Sequence, residues 1–262
     1  MIPKIIHQIW IGPKPKPEKL MESWKKKNPS WEYRLWDERS LKGISFVNER
    51  ALRSSPTYAG KSDIMRYELL HLFGGIFIDA DSWCARPLDD GDFVTQEFAC
   101  LESRAGSRLV NGYLGCRKES PLLSELVRRI HTIPLNIIKK ERAWKVTGPQ
   151  LLTNTVKDIS YRIRIFPHWT FCPVFHTGEV AENWHTKDIF SVQYWGSTYE
   201  SPTVIGYQYK LINQNQKRWK KEQTVLKFIK DYCEYHSLND ALIDYAGNEI
   251  QQNNYLLKEN IK

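Results

Sequence analysis

The chain has 262 residues, 41% of them hydrophobic, which fits an ordinary globular protein of one large domain or a domain with a helical appendage. Ten Trp and thirteen Tyr make it unusually aromatic, and a formal net charge of +8 favours anionic partners such as nucleotides, phosphorylated glycans, nucleic acid or an acidic membrane surface. The five cysteines, at 84, 100, 116, 172 and 233, form no CxxC pair, which speaks for reduced thiols and against a zinc site.

MIPKIIHQIWIG at the N-terminus lacks the basic start and long apolar run of a signal peptide, and no window approaches the roughly 18 apolar residues of a membrane span. A soluble, cytoplasmic chain is expected. KIIHQIWIG (4–12) reads as a buried strand closed by the stiff loop GPKPKPEK. A short helix follows over 18–27, then a strand in WEYRLWD (31–37) and helical character over 38–53. From 57 to 73, Met65, Leu69, Leu72 and Phe73 recur at helical spacing, and Gly74 and Gly75 supply a left-handed stop. IFID is the next strand and ends in two aspartates. FVTQEFACL (93–101) and LVNGYLGC (109–116) read as strands. ESPLLSELVRRIHTI reads as a helix with Ser120 at its cap and Pro121 at its first position. A turn at TGPQ (147–150) starts another helix, and RIRIF (162–166) and IFSVQYW (189–195) are candidate strands. Beyond about 208 the chain is Lys-, Gln- and Asn-rich, with Trp219, Val225, Leu226, Phe228 and Ile229 at helical spacing. Helices alternating with strands indicate an α/β sheet. The expected organisation is a domain over 1–207 and a basic helical extension over 208–262.

The sharpest local feature is FGGIFIDADSW (73–83). In a continuing strand Asp79 and Asp81 would point to one side and converge, with small Ala80 between them. Unpaired, they would repel and resist desolvation. An Asp-x-Asp also serves as an ordinary solvated turn. This one, however, closes a glycine-hinged apolar strand, where ligands usually bind in open α/β sheets, and Trp83 adjoins it. One helix earlier, Asp63 and Arg66 share a helical face. Few, oxygen-only ligands suit Mg²⁺ or Mn²⁺ with the remaining shell from phosphate and water, which points to a nucleotide-diphosphate ligand.

IPKIIHQIWIG, SDIMRYELLHLFGGIFIDADSW, VTGPQLLT and VQYWGSTY, in that order over 2 to about 199, resemble the glycosyltransferases with a DXD motif. That family includes fungal initiating α-1,6-mannosyltransferases, bacterial capsule and lipopolysaccharide sugar transferases and, more distantly, catalytic domains of clostridial glucosylating toxins. The resemblance implies a GT-A-like, Rossmann-related mixed sheet flanked by helices, a UDP- or GDP-linked sugar donor, Mn²⁺ or Mg²⁺, and transfer with retention to a glycan acceptor that can be lipid-linked. It further implies that Ile9 and Trp10 bind the donor, with Trp10 stacked on the nucleobase. Asp63, Arg66 and Asp79 would hold the donor, and Asp81 would bind the metal. Asp79, Asp81 and Arg66 form the implied catalytic set. Phe77 stands where relatives often have Tyr, and simple packing explains it.

The last block departs from the family pattern. Gln193 replaces an expected His and Tyr199 a Trp, so Gln193 and Ser197 are only weak metal-ligand candidates, and Trp195 and Tyr199 are acceptor-side candidates. His7 is expected as a satisfied core group. The rival reading is a non-catalytic protein that binds nucleotide-sugars on the same fold. A nucleic-acid partner is not expected, because no such binding motif occurs and the Asp pair would repel phosphate without metal. The lysine-rich KRWKKEQTVLKFIK reads as a solvated helix face, or as one that lies peripherally on anionic lipid.

Overall fold

The computed structural model describes residues 1–14, 16–103, 106–173 and 189–193. All of them lie within the unit Met1–Thr198, and the expected extension over 208–262 lies outside them. Six strands form the main sheet: β1 (Ile5–Ile9), β2 (Glu32–Trp36), β3 (Gly75–Ile78), β5 (Phe98–Leu101), β6 (Leu109–Cys116) and β7 (Arg164–Phe166). Their order is β2-β1-β3-β6-β5-β7. β1 runs parallel to β2 and β3, β6 is antiparallel to β3 and β5, and β7 returns parallel to β5. Two short strands, β4 (Ser82–Cys84) and β8 (Ser191–Gln193), pair antiparallel in a separate ribbon. The mixed sheet flanked by helices that the sequence leads one to expect is present.

Strand alternation divides the core into two layers. Phe77 and Ile9 pack with helices α3 (Tyr58–Phe73) and α4 (Pro121–Thr132), through Leu69, Leu70, Leu122 and Leu126. Ile6, Ile76 and Ile78 face the other layer, where Trp24 of α1 (Glu18–Lys27) meets Phe93, Phe98 and Phe171. Phe93 lies 4.7 to 5.4 Å from Phe98, Phe166, Phe171 and Phe190, so the aromatic excess is here a packed cluster.

α1 has the expected bounds, with Leu20, Met21 and Trp24 on its buried side. The helical character over 38–53 resolves into a short 3₁₀ turn, Ser40–Gly43, and α2 (Glu49–Ser54). Asn48 separates them because its backbone N–H, with that of Val47, is held by the Glu68 carboxylate at 2.9 and 2.6 Å. α3 is capped by Thr57, whose hydroxyl accepts from Gly60 N–H at 3.1 Å. It is buried on nearly every side, while Leu72, expected on its apolar stripe, is 40% exposed. Gly74 has φ 64° as anticipated, but ψ −169° places it in a glycine-only region outside the left-handed helix. Ser120 precedes α4 without capping it; its hydroxyl donates to Glu97 at 3.1 Å instead. Strand character within 93–101 is confined to the last four residues. Two further helices, α5 (Leu135–Lys140) and α6 (Ala143–Val146), precede α7 (Pro149–Asp158), which starts at the Gly-Pro turn.

Candidate active site

β3 stops at Ile78, and residues 79–81 form a turn, not a continuing strand. The two aspartates therefore do not share one strand face; they take different partners. The turn is held from several sides. Asp79 N–H donates to Gly112 O of β6 at 3.0 Å. Asp79 O accepts from Ser82 Oγ at 2.6 Å and Gln8 Nε2 at 3.3 Å. Trp24 Nε1 donates to Ser82 O at 3.0 Å, tying α1 to the same turn. A Cβ on Gly112 would collide with Asp79 Oδ2, so only glycine lets the carboxylate lie across β6.

α3 runs back from this edge, which brings its first half to the carboxylates. Arg66 is 5% exposed, with Nη2 3.2 Å from Asp79 Oδ1 and 3.5 Å from Asp63 Oδ1. Its guanidinium lies over the Phe77 ring, 4.3 Å from the centroid, and also reaches Ser62. Packing thus accounts for Phe77, and it supports the arginine. Nη1 is buried without a hydrogen-bond partner among the described residues. Burial works to lower the arginine's pKa, but Asp79 and Asp63 outweigh it and raise it. Asp63 accepts from Asn111 Nδ2 at 2.8 Å and Thr147 Oγ1 at 3.4 Å. Burial pushes its carboxyl above the ordinary range, with Arg66 opposing. Asn111 also donates to Tyr67 Oη at 3.1 Å, whose hydroxyl donates to Gly148 O at 3.4 Å.

Across the β4–β8 ribbon, Gln193 stands opposite Ser82. Its Nε2 donates to Asp81 Oδ1 at 2.7 Å, while its Oε1 accepts from Tyr113 O–H at 2.6 Å. Gln193 thus meets Asp81 through nitrogen, and its oxygen is turned to Tyr113.

Trp10 follows β1 at the same sheet edge, half-buried, with Nε1 donating to Lys14 O at 2.9 Å. Ile9, expected to bind the donor, is instead 6% exposed in the core, so its side chain belongs to packing. His7 is a satisfied core group, as anticipated. Trp195, Ser197 and Tyr199 lie outside the described residues. Asn111, Gly112, Tyr113, Thr147 and Gly148 complete the site without having been anticipated. Thr147 and Gly148 fall within the TGPQ turn already noted in the sequence, while nothing in LVNGYLGC marks Asn111, Gly112 or Tyr113 as site residues.

No group of three or more His, Cys, Asp or Glu side chains converges among the described residues. Asp79 and Asp81 are both partly exposed at the strand end, and such a pair fits a hard divalent cation whose other ligands are phosphate and water.

Residues 15–97 match the family described as a glycosyltransferase sugar-binding region containing a DXD motif. The matched segment includes Asp63, Arg66, Asp79 and Asp81. The chain is 30% identical over 146 residues to inositol phosphoceramide mannosyltransferase 3 of Schizosaccharomyces pombe, covering 52% of this chain and 39% of that one. It is 26% identical over 202 residues to the initiation-specific α-1,6-mannosyltransferase of Candida albicans, covering 59% and 52%. The chain therefore spans about half or less of the length of these relatives. A solved structure, the PaToxG glycosyltransferase, superposes with a TM-score of 0.47 at 20% identity, covering 60% of this chain and 70% of that one. No helix among the described residues is long and apolar enough to cross a membrane.

Proposed function

We propose that this protein is a retaining, divalent-metal-dependent glycosyltransferase on a GT-A-like scaffold. It moves a hexosyl group from a nucleotide-diphosphate sugar to a glycan acceptor. The observation that carries this reading is Arg66, buried between Asp63 and Asp79 at the carboxyl end of β3 with one guanidinium nitrogen unspent. A buried cation with a free donor, beside the partly exposed carboxylate of Asp79, suits a ligand that brings both phosphate oxygens and sugar hydroxyls.

In this reading Asp81 holds Mn²⁺ or Mg²⁺ together with the diphosphate. Bound there, the ion offsets negative charge on the departing phosphate. Arg66 Nη1 donates to an oxygen of the donor, and Phe77 beneath the guanidinium keeps it from turning away. Asp63, anchored by Asn111 and Thr147, accepts from a sugar hydroxyl. Asp79 keeps Arg66 in place and receives a further hydroxyl on its open side. Trp10 stacks on the base. The acceptor hydroxyl attacks the anomeric carbon on the face the phosphate leaves, and its proton passes to the departing phosphate oxygen. The sugar–phosphate bond breaks as the new glycosidic bond forms, with retention. Preorganised charge of this kind is usually the largest catalytic contribution, often several kcal/mol.

The names of the two fungal relatives make a nucleotide-linked mannose the first donor to test, and that of the first makes a lipid-linked acceptor the first acceptor. The test measures release of nucleoside diphosphate from a panel of UDP- and GDP-sugars, with Mn²⁺, with chelator, and with Asp81→Asn. Metal-dependent release from one donor, reduced at least about 100-fold in the variant, is expected. Metal-dependent nucleotide binding without release, even with acceptor present, would favour a binding protein on the same fold. Absence of nucleotide binding would overturn the reading.

A further inference from the structure

We infer that Tyr113 and Gln193 form a positioning relay for Asp81, in which Gln193 serves the metal site through its amide N–H and not as a ligand. The inference rests on the transferase reading, since it assigns Asp81 the metal.

The direction of the relay follows from donor and acceptor chemistry. An ionised carboxylate only accepts, so the Gln193 group facing Asp81 Oδ1 at 2.7 Å must be the NH₂. The amide oxygen then points the other way, to Tyr113 Oη at 2.6 Å. That oxygen only accepts, so the phenol's single hydrogen goes to it. Ser191 Oγ, 2.9 Å from the same phenol, must then donate to Tyr113. The donors run one way along the relay: Ser191 to Tyr113, Tyr113 to Gln193, Gln193 to Asp81.

The relay is built to hold its geometry. Tyr113 is fully buried on β6, opposite Ile78 at the end of β3, and stacks on Phe171 with centroids 4.7 Å apart. Gln193 is 6% exposed and fixed in register by the β4–β8 ribbon. Turning its oxygen outward would break the bond to Asp81 and force the hydrogens of Tyr113 and Ser191 to reverse. Partners of this kind, which orient a ligating carboxylate, commonly change metal affinity 10- to 100-fold when removed.

The two roles of Gln193 predict opposite signs for Tyr113→Phe. If the glutamine oxygen were a metal ligand, removing the phenol hydroxyl would free it, and metal binding would hold or tighten. In the relay, the same change leaves the amide unanchored and Asp81 misplaced. The experiment titrates Mn²⁺ by electron paramagnetic resonance on the full chain with GDP or UDP present. Tyr113→Phe should weaken Mn²⁺ about 5-fold and Gln193→Met about 10-fold or more. In the Gln193→Met background the Tyr113→Phe effect should vanish, a coupling that loss of core packing would not produce. Should Tyr113→Phe not fold, Ser191→Ala removes the first link and should weaken Mn²⁺ about 2-fold. Unchanged or tighter Mn²⁺ in Tyr113→Phe, or additive effects in the double variant, would overturn the relay and leave the transferase reading standing. No Mn²⁺ binding by the unaltered chain with either nucleotide would overturn both.

Discussion

Trp36 Nε1 donates to His7 Nδ1 at 3.0 Å, and an indole nitrogen can only donate. His7 must therefore carry its hydrogen on Nε2, which donates to Gly74 O at 2.8 Å. The neutral ring is satisfied at both nitrogens, and the Trp36 ring lies parallel to it with centroids 6.0 Å apart. Burial, helped by Arg34 and opposed by the Gly74 bond and Glu32, pulls its pKa from 6.5 to about 4. Protonation would add a hydrogen at Nδ1 and break the Trp36 bond. Because the folded value lies below the unfolded one, the unfolded chain takes up the proton first as pH falls. This contribution to stability is complete above pH 6.5 and is lost as pH falls through 6.5 towards about 4. The loss amounts to on the order of 3 kcal/mol. Urea denaturation across that window should show it, and His7→Gln, which keeps a donor and an acceptor, should flatten this part of the profile. An unchanged profile would show that another group titrates there.

At the scale of the element, β6 does more for the site than a sheet partner needs to. Residues 111, 112 and 113 provide in turn an amide for Asp63, a gap for the Asp79 carboxylate, and the phenol that holds Gln193. Gly112 sits where β6 crosses the end of β3, with its carbonyl accepting from Asp79 N–H at 3.0 Å. Its φ is not positive, so Gly112→Ala introduces a methyl without backbone strain and displaces a side chain instead of a strand. The Asp79 carboxylate must swing away, and Arg66 loses its 3.2 Å partner. Nucleoside-diphosphate binding in the presence of Mn²⁺ should weaken at least about 10-fold. The unfolding free energy of the free protein, from urea denaturation, should fall by about 1 to 2 kcal/mol. Equal binding in variant and parent, by isothermal titration, would show that Asp79 is not needed in its present place. Gly75 is different: φ 105° and a Cβ position 2.6 Å from Ile5 O make any substitution a backbone problem. That is why the helix-to-strand passage before the aspartates needs glycine.

At the scale of the whole molecule, the described residues contain a core that owes nothing to a metal. Two apolar layers cover the sheet, and the two aspartates stand at its edge. Metal removal should therefore leave the fold intact. No third such ligand converges among the described residues, so if Asp81 holds a divalent ion as proposed, it does so in company with a diphosphate, and metal and nucleotide should stabilise the chain jointly. Thermal melting should show shifts within about 1 °C for Mn²⁺ alone. With Mn²⁺ and the cognate nucleoside diphosphate together, a shift of several degrees is expected, since a ligand at 100 times its Kd adds about 2.7 kcal/mol. Chelator should reverse it. A large shift with metal alone would point to a structural ion elsewhere in the chain.

The division between what was legible in the sequence and what was not follows the range of the physical signals. Helix α1, the Thr57-to-Phe73 helix with its glycine break, and the placement of two aspartates at a strand end all rest on neighbours a few residues apart. Periodicity, capping chemistry and glycine's freedom at positive φ are local, so they could be read along the chain. The alternation of helices with strands fixed the α/β class in the same way. The sequence also placed Asp63 and Arg66 on one helical face, but on that evidence alone they make an ordinary surface ion pair. Only the tertiary structure buried them, because burial depends on α3 being covered by the sheet and by α2, α4 and α6. Likewise Asn111 lies 48 residues from Asp63, and Gln193 lies 112 residues from Asp81. Hydrogen bonds at such separations leave no periodic trace. The sequence by itself determined which chemical groups the protein brings to the end of β3; the folded chain alone decided which atom of each group faces the other.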